Sequence, residues 1–325
     1  SRWRGYRACL NGFQSFPSHK IAKRFAGEAD LNISSPVMES HQKNAGGNAR
    51  IAETMFRYFR FPMDSGDFVY LSQVQQGLAI KTAVEYWRSL KPHNMGAIYW
   101  QLNDTWPVAS WSSLDHGGGW KVLHHMVKRF FKPSAVFAVP TPDGEAVRIV
   151  AVNDRPDLVN MDIVMKSVAL DGKETVLSRI SVTTPPDRAV DAAWLNARDI
   201  GNDRLLVFDY VVSDGTSGRG HLTLQPYKRL ALTDPGIEVT TAVLDGFATV
   251  TLKAARPAFF FFFLTDAGGR FDDGGFDLMA GETRTIRFLA NDQVDPGEVL
   301  ASLIVRNLHS ATYPPKQGAG LPAST

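Results

Sequence analysis

Four of the seven tryptophans lie in one stretch, WQLNDTWPVASWSSLDHGGGW, from Trp100 to Trp120. An indole offers a flat apolar face that can pack on the C–H face of a sugar ring. Amides, carboxylates and hydroxyls interleaved with it can bind the sugar's hydroxyl groups. The same composition also suits a loop cored by tryptophan that binds nothing, and composition alone weighs the two equally. Placement tilts the balance toward a site. The run MGAIYW, Met95 to Trp100, reads as a strand, and Gln101 to Asp104 follow its end. Catalytic groups of βα barrels sit at such carboxyl ends of strands.

Other constellations give weaker signals. His124 and His125 lie on one helical pattern at adjacent positions, which point about 100° apart, so they cannot chelate one ion together. Gly117-Gly118-Gly119 precedes a helix without the lysine of a phosphate-binding loop. Asp272 and Asp273 lack the spacing of a calcium loop. There is no Gly-x-Ser-x-Gly elbow. No metal and no cofactor are expected.

The elements that must position Trp100 change character along the chain. Residues 12–135 carry helical periods. Asn48 to Phe59 places Ile51, Met55 and Phe59 four apart; Asp67 to Leu90 is a longer helix stopped by Pro92; Trp120 to Phe131 is a third, followed by Pro133. Ser35 to Met38 and Met95 to Trp100 read as strands between them, which suggests βα units around a parallel sheet. From about residue 136, short β-rich runs dominate: 146–152, 161–170, 205–212, 221–224, 239–244, 248–253, 259–264, 283–288 and 299–305. Asp-Gly pairs at 171, 214 and 245 suit tight turns between them. Two antiparallel sandwiches fit, at 136–230 and 231–315, with a break near Tyr227 to Pro235 and a tail at 316–325.

Bulk properties exclude some classes. The 325 residues hold 35 Lys plus Arg and 33 Asp plus Glu, a net charge of +2, so nothing recruits nucleic acid or an anionic membrane by charge. No stretch reaches the roughly 18 to 20 apolar residues that span a bilayer. The densest run, Ala258 to Leu264 with five consecutive phenylalanines, reads as a buried strand. The single cysteine, Cys9, forms no intrachain disulfide framework. The start, SRWRGYRACL, is neither a Met start nor a signal peptide, and the chain is expected to be a fragment. A whole (β/α)8 barrel needs about 250 residues, of which residues 12–135 can supply two or three βα units.

Several motifs together resemble the β-mannosidases of glycoside hydrolase family 2. They are GFQSFPS (Gly12 to Ser18), SPVMESHQKNAGGNARI (Ser35 to Ile51), YLSQVQQGLAIKTAVEYWR (Tyr70 to Arg88) and MGAIYWQLNDTWPVASWSSLD (Met95 to Asp115). PYKRLAL (Pro226 to Leu232) and GRFDDGGFDLMAGE (Gly269 to Glu282) resemble the later sandwich domains of the same enzymes. The resemblance implies the C-terminal part of a (β/α)8 TIM barrel followed by two immunoglobulin-like β-sandwiches, within a five-domain enzyme. It implies retaining hydrolysis of terminal, non-reducing β-D-mannose, in which one carboxyl protonates the leaving oxygen and another, about 5–5.5 Å away, attacks the anomeric carbon. The implied partner is a β-mannoside, with no nucleic acid and no membrane. The compartment, cytoplasmic or periplasmic, stays open because a signal would lie upstream.

In that family the acid/base Glu comes from the fourth barrel strand, which would precede residue 1. The nucleophile follows a Ser-Glu-(Phe/Tyr)-Gly pattern, where this chain has Cys9-Leu10-Asn11-Gly12. Leu10 occupies the nucleophile position and offers no lone pair. Codons for Ala-Cys-Leu-Asn, read two bases later, can spell Val-Ser-Glu and open a codon starting with T. Residues 1–11 are therefore expected to be out-of-frame translation, and the chain as given to be inactive. By resemblance Trp100 is the floor of the mannose subsite. Asn103 and Asp104 are next, as ligands or as residues that only fix the loop, with Asp104 otherwise a candidate acid; Glu39 and His41 are candidates for the cleft lining, and Gln14 for a structural role. The alternatives are a non-catalytic carbohydrate-binding protein derived from a glycosidase, and a sandwich pair with no sugar role.

Overall fold

The computed structural model describes residues 7–291 and 293–314, and for residues 7–11 the backbone alone. Its first part contains β1 (Arg7–Gly12), α1 (His19–Ala22), α2 (Pro36–Ser40), α3 (Gly47–Tyr58), α4 (Ser65–Arg88), β2 (Asn94–Trp100) and α5 (Val122–Phe130). β1 and β2 run parallel, with Leu10 opposite Ile98 and Gly12 opposite Trp100. The helices lie on the connection between the two strands and after the second, so the α/β character expected of residues 12–135 is present. Two strands define no cylinder.

Two of these helices, α2 and α4, begin at a side-chain cap. Asp64 accepts from the Asp67 amide at 2.7 Å and starts α4. Ile51, Met55 and Phe59 form the buried stripe of α3 and its end, as their spacing predicts. The strand expected at Ser35 to Met38 is instead α2: the Ser35 hydroxyl accepts from the Met38 amide at 3.1 Å, and Pro36 stands at the first helical position. Both are N-terminal helix signals, and they outweigh the apolar Val37-Met38 pair.

The second part is a sandwich. It holds β3 (Ser134–Pro140), β4 (Ala146–Asn153), β5 (Val159–Ala169), β6 (Glu174–Thr184), β7 (Arg188–Asn196), α6 (Ala197–Ile200), β8 (Arg204–Val212) and β9 (Ser217–Thr223). The sheets have strand orders β3-β4-β7 and β6-β5-β8-β9. Their facing residues, among them Val147, Ile149, Met161, Ile163, Leu206 and Phe208, form one core. β3, β6 and β7 were not legible in the sequence; β6 and β7 bury so little that alternation hardly marks them.

The third part holds β10 (Ile237–Leu244), β11 (Phe247–Ala254), β12 (Ala258–Leu264), β13 (Gly269–Phe271), β14 (Phe276–Leu278), β15 (Thr283–Ala290), α7 (Pro296–Ala301), β16 (Ile304–Arg306) and α8 (Leu308–Thr312). Its sheets are β10-β11-β15-β13 and β14-β12-β16. The strand expected at Val299 to Val305 is a correction. Asp295 caps α7 by accepting from the Gly297 amide, Pro296 again sits at the start, and only Ile304–Arg306 is extended.

β12 is a buried strand, as the phenylalanine run predicts, and it is buried on both faces. Phe261 and Phe263 face the sandwich core, while Phe259, Phe260 and Phe262 join the core of the helical part. The division follows a register irregularity between Ala258 and Phe261, where Phe260 adopts φ 57°. That left-handed backbone costs a non-glycine residue about 1–2 kcal/mol. Two hydrogen bonds hold it: the Tyr70 hydroxyl donates to the Phe260 carbonyl at 2.7 Å, and the Phe260 amide donates to Asp277 at 3.0 Å. The helical core also takes in Phe137, Leu205 and Tyr227, so one apolar continuum crosses all three parts. Asp273 pins α5 to the third part, accepting both Arg129 Nη2 bonds and pairing with Lys128 and Arg284. These cations hold its carboxyl below the usual range although burial opposes them.

Candidate functional site

Trp100 ends β2 level with the end of β1, and its residue is 53% exposed. Trp100 therefore stands half exposed at the carboxyl end of a parallel strand. Its peptide bond to Gln101 is cis. The loop that follows turns back toward the strand end, with the Gln101 amide donating to the Trp111 carbonyl at 3.0 Å.

Asp104 is what fixes this loop. Its side chain has no exposure and accepts from Lys43 Nζ at 2.7 Å, Ser110 Oγ at 2.6 Å, Ser112 Oγ and Gln101 Nε2 at 3.2 Å. A carboxylate with all its lone pairs directed inward is a tie rather than a ligand for sugar. Of the roles read for Asp104 in the sequence, these hydrogen bonds fit the loop-fixing one. Asn103 is exposed, and its carbonyl accepts from Gln101 Nε2 at 2.7 Å.

Glu39 lies exposed on α2. His41 follows that helix and is partly buried. Its ring stacks on Phe25 at 3.8 Å between centroids, tilts against Trp106 at 5.2 Å, and Nδ1 meets the Pro107 carbonyl at 2.6 Å. His41 is thus brought to the Trp100 loop through Trp106.

Beneath the loop lies a polar layer whose partners come from distant segments. Gln14 donates to Gln42, Gln42 to Asn48, and Asn48 to the Ile33 and Met38 carbonyls. Gln76 of α4 donates to the carbonyls of Phe13, Trp111 and Ser112, and accepts from Ser15 Oγ. The structural role read for Gln14 has its geometry here. Two charged residues complete the layer, and sequence reasoning missed both. Lys121 is 1% exposed and donates weakly to Ser15 Oγ at 3.4 Å. Burial pulls its ammonium down to about 8, against the opposing pull of Asp104 and Asp115. Burial likewise raises Asp115, which accepts from Ser18 and from the Gly119 amide. Lys43, also unread in the sequence, supplies the ion pair to Asp104.

Among the described residues, no group of three or more His, Cys, Asp or Glu side chains is placed to hold a metal ion. His124 contacts Ser113 Oγ at 3.0 Å, whereas His125 is buried, with burial pushing it down to about 3. A crevice of about 1390 Å³ opens elsewhere, where α4, α5, β9 and β14 meet; Glu39, His41, Trp100, Asn103 and Asp104 do not line it. The Leu10 side chain lies outside the described atoms; its backbone pairs opposite Ile98.

The mannosidase Ig family model, described as an Ig-fold domain, matches residues 232–311. A β-mannosidase of Capra hircus is 29% identical over 327 residues, an alignment covering 91% of this chain and 36% of that protein. The crystal structure of a β-D-mannosidase from Dictyoglomus thermophilum superposes with a TM-score of 0.80 at 24% identity, over 92% of this chain and 37% of that one. An exo-chitosanase from Amycolatopsis orientalis shares the fold at a TM-score of 0.65 and 16% identity, over 92% of this chain and 41% of that one. The chain spans little more than a third of the length of the curated relatives it matches over most of its own length. In sequence and in fold it is similar to a part of proteins named β-mannosidase.

Proposed function

We propose that this chain is the C-terminal part of a β-mannosidase-type glycoside hydrolase, that residues 12–135 close a (β/α)8 barrel, and that Trp100 forms the floor of its mannose subsite. The observation that carries the reading is the half-exposed Trp100 at the carboxyl end of a parallel strand, on a loop locked from below by Asp104. A sugar's C–H face lies on that ring, and exposed Asn103 and Glu39 stand as candidate partners for its hydroxyls. His41 contributes by backing Trp106.

The chemistry is retaining hydrolysis of a terminal β-mannoside through a glycosyl-enzyme intermediate. Neither carboxylate is supplied here. The acid/base falls before residue 1, and Leu10 stands in the nucleophile's place, with its backbone on the strand beside Trp100's. Residues 1–11 are read as a reading-frame slip, and residues 136–230 and 231–315 as the two sandwich domains. Leu10 also favours the second reading, a saccharide-binding protein without turnover.

The test is binding and turnover with the purified chain. Saturation-transfer NMR should detect methyl β-D-mannoside, and Trp100→Ala should abolish the signal; no aryl β-mannoside should be hydrolysed. Absence of any Trp100-dependent signal overturns the reading. Nucleotide sequence across residues 1–12 then separates the two versions: a frame that encodes Ser-Glu-aromatic before Gly12 supports the interrupted hydrolase, and an unbroken frame supports the non-catalytic binder.

A further inference from the structure

The three-stranded sheet β3-β4-β7 has an outer face that is only half covered. Phe137, Val150 and Val152 of that face pack into the helical core. The other half carries Arg148, Asp191 and Trp194, and Trp194 is 58% exposed. Among the described residues β7 is an edge strand of its sheet.

The grouping has a backbone cause. Asp191 and Trp194 are three residues apart, and in a regular strand an odd spacing sends side chains to opposite faces. Here the register shifts between Ile149 and Val150: Ala193 pairs with Ile149, Asp191 with Val150, and Ala192 is the extra residue. The bulge restores Asp191 to the face that carries Trp194. Arg148, directly opposite Trp194, then serves both. Its Nη2 donates to Asp191 at 2.6 Å and its Nε at 3.2 Å, while its guanidinium lies 5.6 Å from the indole centroid.

We propose that Trp194, Arg148 and Asp191 form a second saccharide-binding surface, on another part of the fold from Trp100, that takes a neutral polysaccharide chain. Three features select that occupant. The Arg148–Asp191 pair cancels its own charge, so the patch draws neither an anionic nor a cationic partner. A peptide or a second copy of this chain would need a wider apolar area than one indole bounded by an arginine, an aspartate and, two residues on, exposed Asn196. A sugar ring fits the combination: its C–H face lies on the indole, and its hydroxyls donate to Asp191 and accept from Arg148. The surface stands whether or not the Trp100 reading does.

Affinity electrophoresis of the full chain in native gels tests it, with soluble glucomannan, galactomannan or hydroxyethylcellulose cast into the gel. The wild type should be retarded by at least one of these. Trp194→Ala should migrate as it does in a blank gel, Trp194→Tyr should fall between, and Trp100→Ala should remain retarded. Unchanged far-UV circular dichroism and Tm establish that the variants fold. The proposal is overturned if no polysaccharide retards the wild type, or if Trp194→Ala is retarded equally. It is also overturned if Trp194→Ala turns a dimer into a monomer in sugar-free buffer, because the face is then an interface between copies.

Discussion

The two most aromatic stretches of this chain are built for opposite ends. β12 packs its five phenylalanines inward on both faces, into two cores. The Trp100 loop leaves Trp100 and Trp106 partly bare and buries mostly polar groups: Asp104, Ser110, Ser112, Ser113 and Asp115 are buried, with Val108 and Ala109, while the indoles are not. A run of aromatic residues alone therefore marks nothing. What separates a buried aromatic run from a half-exposed one is the company the rings keep, other rings and aliphatic residues at β12 and hydrogen-bonding groups around Trp100. A polar bed can fix a loop without wrapping its aromatic rings.

Variants on each side sharpen the contrast. Phe261→Ala should cost the most, about 3–5 kcal/mol, because it opens a cavity in a packed core; chemical denaturation reads it, and a loss under 1 kcal/mol would mean that β12 is not a keystone. Asp104→Asn comes next, at about 2–3 kcal/mol, since it leaves Lys43 without its partner charge. It should also weaken any saccharide signal that depends on Trp100, and an undisturbed signal would separate the bed from the ring.

Lys121 predicts a pH effect of known sign. Its ammonium is held at about 8, below the 10.5 of an unfolded lysine, so between these values the unfolded chain binds the extra proton. Stability due to this group rises with pH across that window, by up to about 1.4 kcal/mol per unit. Urea melts at pH 7.5 and 9.5 should show the wild type gaining on Lys121→Met; a parallel response of both proteins would place the ammonium in water. Trp100→Ala should have the smallest effect on stability, within about 0.5 kcal/mol, because a half-bare ring contributes little packing. A large drop would make Trp100 a core residue after all.

Much of this was legible in the sequence where a short-range rule applies. The stripe Ile51, Met55 and Phe59, the long α4 and the strand ending at Trp100 all follow from local periodicity. The strand expected at Ser35 and the first part of the one expected at Val299 to Val305 are helices whose Ser-Pro and Asp-Pro starts outweighed a few apolar residues, while Ile304 and Val305 are extended. Trp100 could be singled out because it ends a strand and opens a run rich in hydrogen-bonding side chains. Its bed could not. Lys43 meets Asp104 across 61 residues and Lys121 meets Ser15 across 106, and a buried lysine looks like a surface one until the chain folds.

Tyr227 and Phe260 place the joints between the three parts inside hydrophobic packing. A boundary drawn on the sequence is thus no seam in the molecule. Cutting the chain at residue 135 or 230 to obtain a smaller piece would strip a wall from whichever half remained, and melting should proceed as one event rather than three.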